Sequence, residues 1–188
     1  MAKGKIILLN GVSSSGKSTL SRELVEKMPE YFHLSVDDFD VIIEKMEDRD
    51  KGHLIPVPTE YFFHRSIAMF SDKGVNLVVD QILHDEDTLM DCYKTLKDYP
   101  VLFVGVHCPI EVLEEREMKR GDRSIGQAKG QLSYVHRQNE VYDVEVDTSL
   151  DDLETILQLI KEKQENLEEA AGWKKTIGEY SRMKLRTL

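Results

Sequence analysis

Short apolar runs at 5–9, 31–36, 75–79, 101–107 and 142–146 recur along the chain, and the stretches between them return an apolar residue every three to four positions. A short continuous apolar run bounded by turn residues fits a strand buried on both faces, whereas a 3.6-residue period fits an amphipathic helix. Helices are therefore expected at about 17–28, 38–47, 59–73, 85–97, 109–118, 128–138 and 150–165. Pro29, Gly74, Pro100 and Pro109 fall at the boundaries, where a fixed φ or an absent side chain stops one element or starts the next. Strands alternating with helices are the βαβ pattern of a parallel sheet, so the predicted fold class is α/β. The aromatics of the segment from Glu60 to Phe70 lie at helical spacing and are expected in the core, except at the ends of that helix.

The chain has 188 residues, enough for one compact domain with a real core, expected over 1–165. Beyond it, 166–188 reads as a charged helical tail whose strong anchor is Trp173; a surface helix and a dimer contact both remain open, and with them a homo-oligomer. A formal charge of −10 excludes a broad surface for nucleic acid or anionic membrane, since phosphate backbones demand clustered Lys and Arg. Cys92 and Cys108 form no C-x-x-C pair and read as reduced core thiols. The first apolar run is too short for a signal peptide, and no segment has the length of a membrane span, so a cytoplasmic location is expected.

Directly after the first run comes Gly11-Val12-Ser13-Ser14-Ser15-Gly16-Lys17-Ser18, the spacing G-x-x-x-x-G-K-[ST] between a strand and a helix. Two glycines let the backbone curl so that successive N–H groups face one anion, and the following helix, from Thr19 on, adds the positive end of its dipole. Lys17 belongs beside the β/γ-phosphates, and the Ser18 hydroxyl is placed to ligate Mg²⁺. A Ser/Gly turn that merely precedes a lysine is the bland alternative, and the strand before it and amphipathic helix after it argue against that. The motif predicts binding of a nucleoside triphosphate.

Three further features carry chemistry. Asp80 follows the apolar residues Leu77-Val78-Val79, where folds with such a loop hold Mg²⁺ directly or through water; the plain alternative is a strand-end cap. Ser35-Val36-Asp37-Asp38-Phe39-Asp40 follows the second strand, and strand ends of open α/β sheets face the ligand cleft. A carboxylate there can take the proton of an attacking hydroxyl; Asp37 is the expected base, ahead of Asp38 or Asp40, and Asp38 is the expected helix cap. Finally, Glu115-Arg116-Glu117-Met118-Lys119-Arg120-Gly121-Asp122-Arg123 presents Arg116, Arg120 and Arg123 around a glycine. Arginines closing over a transferring phosphoryl group stabilise its charge, whereas surface ion pairs with Glu114, Glu115 and Glu117 are the alternative. The histidines show no metal-ligand spacing and read as structural, with His53 a candidate for a loop over the substrate.

These stretches, together with Val104-Gly105-Val106-His107-Cys108 and Tyr142-Asp143-Val144-Glu145-Val146-Asp147-Thr148, resemble the chloramphenicol phosphotransferase-like family of P-loop kinases, from the first strand to about residue 150. The resemblance implies a three-layer P-loop NTPase with a five-stranded parallel sheet and a nucleotide-kinase-like helical lid at about 116–128. It implies ATP and Mg²⁺ as cofactors, the Asp37 position as base for a small-molecule hydroxyl, and Arg120 and Arg123 as lid residues. Catalysis is then assigned to Lys17, Asp37, Arg120 and Arg123. Nucleotide binding falls to Gly11, Val12, Ser13, Ser14, Ser15, Gly16, Lys17, Ser18 and Thr19 with Arg116 and Arg120, and the metal to Ser18 and Asp80. The acceptor is chloramphenicol, a related hydroxylated compound or a cellular metabolite. A nucleotide or sugar-nucleotide kinase, as in zeta-type toxins, would want arginines within 38–73, where only Arg49 and Arg65 occur. A GTP-dependent switch would want an N-K-x-D motif, which is absent.

Overall fold

The computed structural model describes residues 2–121, 125–176 and 178–179. Its order is β1 (Ile6–Asn10), α1 (Lys17–Lys27), β2 (Tyr31–Ser35), α2 (Val36–Met46), α3 (Thr59–Asp72), β3 (Asn76–Gln81), α4 (Glu86–Leu96), β4 (Val101–His107), α5 (Ile110–Arg120), α6 (Gln127–Gln131), β5 (Val144–Asp147) and α7 (Leu153–Glu165). All strand pairs are parallel, in the order β2-β3-β1-β4-β5. The phosphate-binding loop thus leaves the middle strand, and the ends of β2 and β3 lie to one side of it.

Alternation along the strands divides the core into two layers. Ile7 and Leu9 of β1, Val78 of β3 and Leu102, Val104 and Val106 of β4 pack against α1 and α7. Ile6 and Leu8, Leu77 and Val79, and Val101 and Phe103 pack against α3 and α4. Every residue of β1 is buried, which is why its run shows no polar alternation. Trp173, in the helical segment at 172–176, belongs to the second layer. Its ring lies 4.8 Å from Phe103 and 5.9 Å from Tyr93. Asp143 draws that segment in, its carboxylate accepting from the amides of Ala171, Gly172 and Phe103.

Two departures from the sequence reading lie beside the loop after β1 and the end of β2. Strand β2 runs straight into α2, which starts at Val36 rather than 38, and the cap is Ser35 rather than Asp38. Ser35 has extended backbone (φ −112°, ψ 141°), and its hydroxyl accepts from the Asp37 amide at 3.3 Å. The helix expected at 128–138 stops at Gln131. His136 takes a left-handed φ of 67°, and the Glu140 carboxylate accepts the amides of His136 and Gln138 at 2.9 and 2.7 Å. A left-handed residue and side-chain-bound amides cannot continue an α-helix.

Candidate active site

The loop after β1 is shaped as a cradle. Gly16 has φ 98° and Ser14 φ 60°, so left-handed residues punctuate the turn and bring amides to one side, a backbone nest for an anion. Gly11 is needed for space rather than φ: a Cβ there would lie 2.4 Å from the Val106 carbonyl oxygen. The hydroxyls of Ser14 and Ser15 are buried without a partner among the described residues. Buried donors left unpaired are costly, and the oxygens of a polyphosphate fit them. Lys17 is buried, and its ammonium donates to the Val12 carbonyl at 2.8 Å.

Beside this loop opens a cleft of about 1040 Å³. Ser13, Ser14, Gly16, Lys17, Ser18 and Thr19 line it, together with Asp37 and Asp38 from α2, Asp80 from β3, and Arg116 and Arg120 from α5. Sequence-distant candidates are thus gathered in one cavity, because β1, β2 and β3 all end on this side. Asp40 is not among the residues lining that cavity: burial and the neighbouring Glu60, Asp37 and Glu44 carboxylates raise its pKa against a hydrogen bond from Thr59. Arg123 lies outside the described residues. His53 is exposed, forms an isolated bridge with Asp48, and is not part of the cleft wall.

Asp80 is 4% exposed, yet its Oδ2 has no hydrogen-bond partner among the described residues. Burial by itself would raise the carboxyl, but His33, Lys17 and Ser18 outweigh it and hold it below the usual carboxylate range. His33 Nε2 lies 3.9 Å from Oδ2, too far for a hydrogen bond. An ionised, buried, under-coordinated oxygen across from Ser18 fits a hydrated divalent cation shared with phosphate oxygens. Among the described residues no group of three or more His, Cys, Asp or Glu side chains could enclose a metal alone. A metal here would therefore depend on the nucleotide for part of its shell.

On α5, Arg116 is held in place. Its guanidinium donates to the Ser14 carbonyl at 3.2 Å, to the Thr148 hydroxyl at 2.9 Å and to the Thr148 carbonyl at 3.0 Å; that hydroxyl in turn donates to the Ser15 carbonyl. Arg120, one turn on, is exposed in the cleft wall. Glu117 is not the surface partner that the sequence allowed: it is 1% exposed and accepts from the amides of Gly126 and Ala128, each at 2.7 Å. Its place four residues after the buried Leu113, on one helical face, was the available signal.

Residues 4–165 match the family model of chloramphenicol phosphotransferase-like proteins. The chain belongs to the chloramphenicol phosphotransferase-like family. As a member it is a phosphotransferase of the kinase type, using a nucleotide and a small-molecule substrate. A Mycobacterium tuberculosis protein named "Putative O-phosphotransferase" is 29% identical over 178 residues, with 79% of this chain and 77% of that protein covered. The Deinococcus radiodurans tunicamycin resistance protein superposes with TM-score 0.67 at 19% identity, covering 86% of this chain and 95% of that one. A gluconokinase from Sinorhizobium meliloti 1021 does so at 0.62 and 21%, covering 88% and 93%. At these identities the two structures establish the fold alone.

Within this family member, several contributors had no role assigned from the linear sequence. Asn10 is fully buried and joins β1 to two walls, donating to the Tyr142 hydroxyl at 2.8 Å and accepting from the Leu83 amide at 3.0 Å. Tyr142 is bonded to His136 Nδ1 at 2.7 Å. Gln131 accepts the Ser13 amide at 2.6 Å. A polar residue ending a buried strand was the one clue to Asn10; nothing in the local pattern marks Gln131. Among the described residues, no helix is long and apolar enough to cross a membrane.

Proposed function

We propose that this protein transfers the γ-phosphoryl group of ATP, with Mg²⁺, to a hydroxyl of an unphosphorylated small molecule such as chloramphenicol or a related hydroxylated compound. The observation that carries the reading is the position of Asp37. It stands in the first turn of α2, at the end of β2, and lines the same cavity as Lys17, Ser18 and Arg120. In this reading the Asp37 carboxylate accepts the proton of the acceptor hydroxyl as its oxygen bonds to the γ-phosphorus. The bond from the γ-phosphorus to the β,γ-bridging oxygen breaks, and ADP leaves. Lys17 and the loop amides hold the phosphates, and Arg120, with Arg123, meets the charge that develops on the transferring group. Ser18 and Asp80 would hold Mg²⁺, which when bound neutralises phosphate charge. Both strand ends and the loop after β1 belong to the rigid sheet, so the acceptor oxygen can be aimed with little reorganisation.

The acceptor side supports an unphosphorylated substrate. The two arginines within 38–73 are engaged with carboxylates: Arg49 pairs with Glu44 and Glu47 at 3.3 and 3.0 Å, and Arg65 donates to both carboxylate oxygens of Asp91 at 2.8 Å. A phosphorylated acceptor would have to draw them from these partners and would meet Asp37 and Asp38 in the cavity wall.

The test is phosphoryl transfer from ATP and Mg²⁺ to a panel of hydroxylated compounds that includes chloramphenicol, with Asp37→Asn alongside. Removing the base should lower kcat by about 10²-fold or more, the usual worth of a positioned general base, with ATP affinity kept. Full activity in Asp37→Asn, or transfer confined to phosphorylated acceptors, would refute the reading.

A further inference from the structure

The lid and the phosphate-binding loop are joined by an unbroken run of short contacts. Lys17 Nζ donates to the carbonyl of Val12 at 2.8 Å, while the amide of the next residue, Ser13, donates to Gln131 Oε1 at 2.6 Å. That carbonyl and that N–H belong to one peptide unit. No peptide bond among the described residues is cis, so the two groups point in opposite directions from one plane. Gln131 therefore holds one side of the plane and Lys17 the other. Rotation of the Val12–Ser13 peptide would break both bonds together.

Gln131 is in turn anchored. It ends α6, whose start is held by Glu117: the buried carboxylate accepts the amides of Gly126 and Ala128, each at 2.7 Å. Glu117 lies on α5 between the two arginines that line the cleft, Arg116 and Arg120. Beneath these bonds Ala128 packs with Val12, Leu113, Cys108 and Val135 in a third apolar cluster. The side of the loop that faces the lid is thus packed as well as hydrogen-bonded. A carboxylate taken out of water at 1% exposure and given, among the described residues, backbone amides as partners is an expensive device unless the position it sets matters.

We propose that Gln131, held by Glu117, is a positioning residue that orients the Val12–Ser13 peptide and through it Lys17, so that the arginine-bearing lid helix and the phosphate-binding lysine are set as one unit. The proposal rests on the reading of the cleft as the nucleotide site. Gln131 acts through Lys17, so its effect must depend on Lys17 being present.

A double-mutant cycle on affinity for a non-hydrolysable ATP analogue, read by calorimetry on the full chain, tests this dependence. Gln131→Met keeps the length and bulk of the side chain but removes the acceptor oxygen. One lost hydrogen bond of about 1 kcal/mol should weaken binding about fivefold in the otherwise native protein. In the Lys17→Met background the same change should weaken binding less than about twofold, the margin within which independent effects add. Glu117→Gln, which puts an amide donor against a backbone N–H, provides a second arm. It should weaken binding by a smaller factor that also disappears without Lys17. Gln131→Glu keeps an acceptor oxygen at the same reach and should restore the thermal unfolding midpoint of the native protein. Equal fold-changes in both backgrounds, or native affinity in Gln131→Met, would overturn the coupling and leave the kinase reading standing. Failure of the native protein to bind the analogue at all would overturn both.

Discussion

His136 should make the protein lose stability in mild acid, and the size of the loss follows from its surroundings. The Tyr142 hydroxyl faces its Nδ1 at 2.7 Å, and the ring stacks on His107 with centroids 4.1 Å apart. Burial first, then the charges of His107 and Lys17, push its pKa from 6.5 down to about 4, against the opposing Val106 carbonyl. The Tyr142 phenol is itself pushed well up by burial and stays protonated, so it donates to Nδ1 and leaves the ring proton on Nε2. Between pH 6.5 and about 4, the unfolded chain therefore holds a proton that the folded chain refuses. With more protons on the unfolded state, stability rises with pH. It is lost as pH falls from 6.5, and the loss levels off below about 4. At about 1.4 kcal/mol per pH unit, that interval is worth about 3 kcal/mol. His136→Asn is the matched perturbation, because Asn tolerates the φ of 67°, offers a carbonyl to Tyr142, and does not titrate. Urea unfolding of both proteins at steps from pH 7.5 to pH 4 isolates this residue, since every other titrating group is shared. The native protein should lose about 3 kcal/mol more than the variant across that range. A difference that stays constant within about 0.5 kcal/mol would show that His136 is not held neutral and would refute the reasoning.

Two further outcomes follow from packing. Gly11→Ala places a Cβ 2.4 Å from a backbone oxygen, so the phosphate-binding loop must shift; nucleotide affinity should fall about tenfold or more, and unchanged affinity by calorimetry would contradict the cradle geometry. Trp173→Ala removes a 3%-exposed ring from between Phe103 and Tyr93 and should cost about 3 kcal/mol or more in urea unfolding. A loss under about 1 kcal/mol would mean that the segment at 172–176 is not part of the core layer.

The sheet was legible in the sequence because a strand buried on both faces must be apolar at every position, as Ile6 to Leu9 are, and few other local structures require that. The phosphate-binding loop was legible because its chemistry is contiguous: glycines, lysine and serine act within one turn of backbone. The α/β class followed from those two signals, and the family from them together with the stretches at 115–123, 104–108 and 142–148. Asp37 and Asp80 could be named because the ends of parallel strands converge by topology, before any side chain is placed. What tertiary structure alone decided are the relations between distant segments. Ser35 displaced Asp38 as the cap because backbone dihedrals, which residue type does not dictate, chose the helix start. The helix expected over 128–138 did not reach its end because Glu140 held the amides of His136 and Gln138 and His136 took a left-handed φ, a competition no local propensity reveals. Glu117 and Arg116 lie side by side in sequence, yet one is buried on the amides that start α6 and the other bonded to Ser14 and Thr148, since a helix turns neighbouring residues about 100° apart. Hydrogen bonds such as Ser13 to Gln131, or Asn10 to Tyr142, span more than a hundred residues. Their partners are chosen by where the packed layers bring the chain, and that is information held in the fold as a whole.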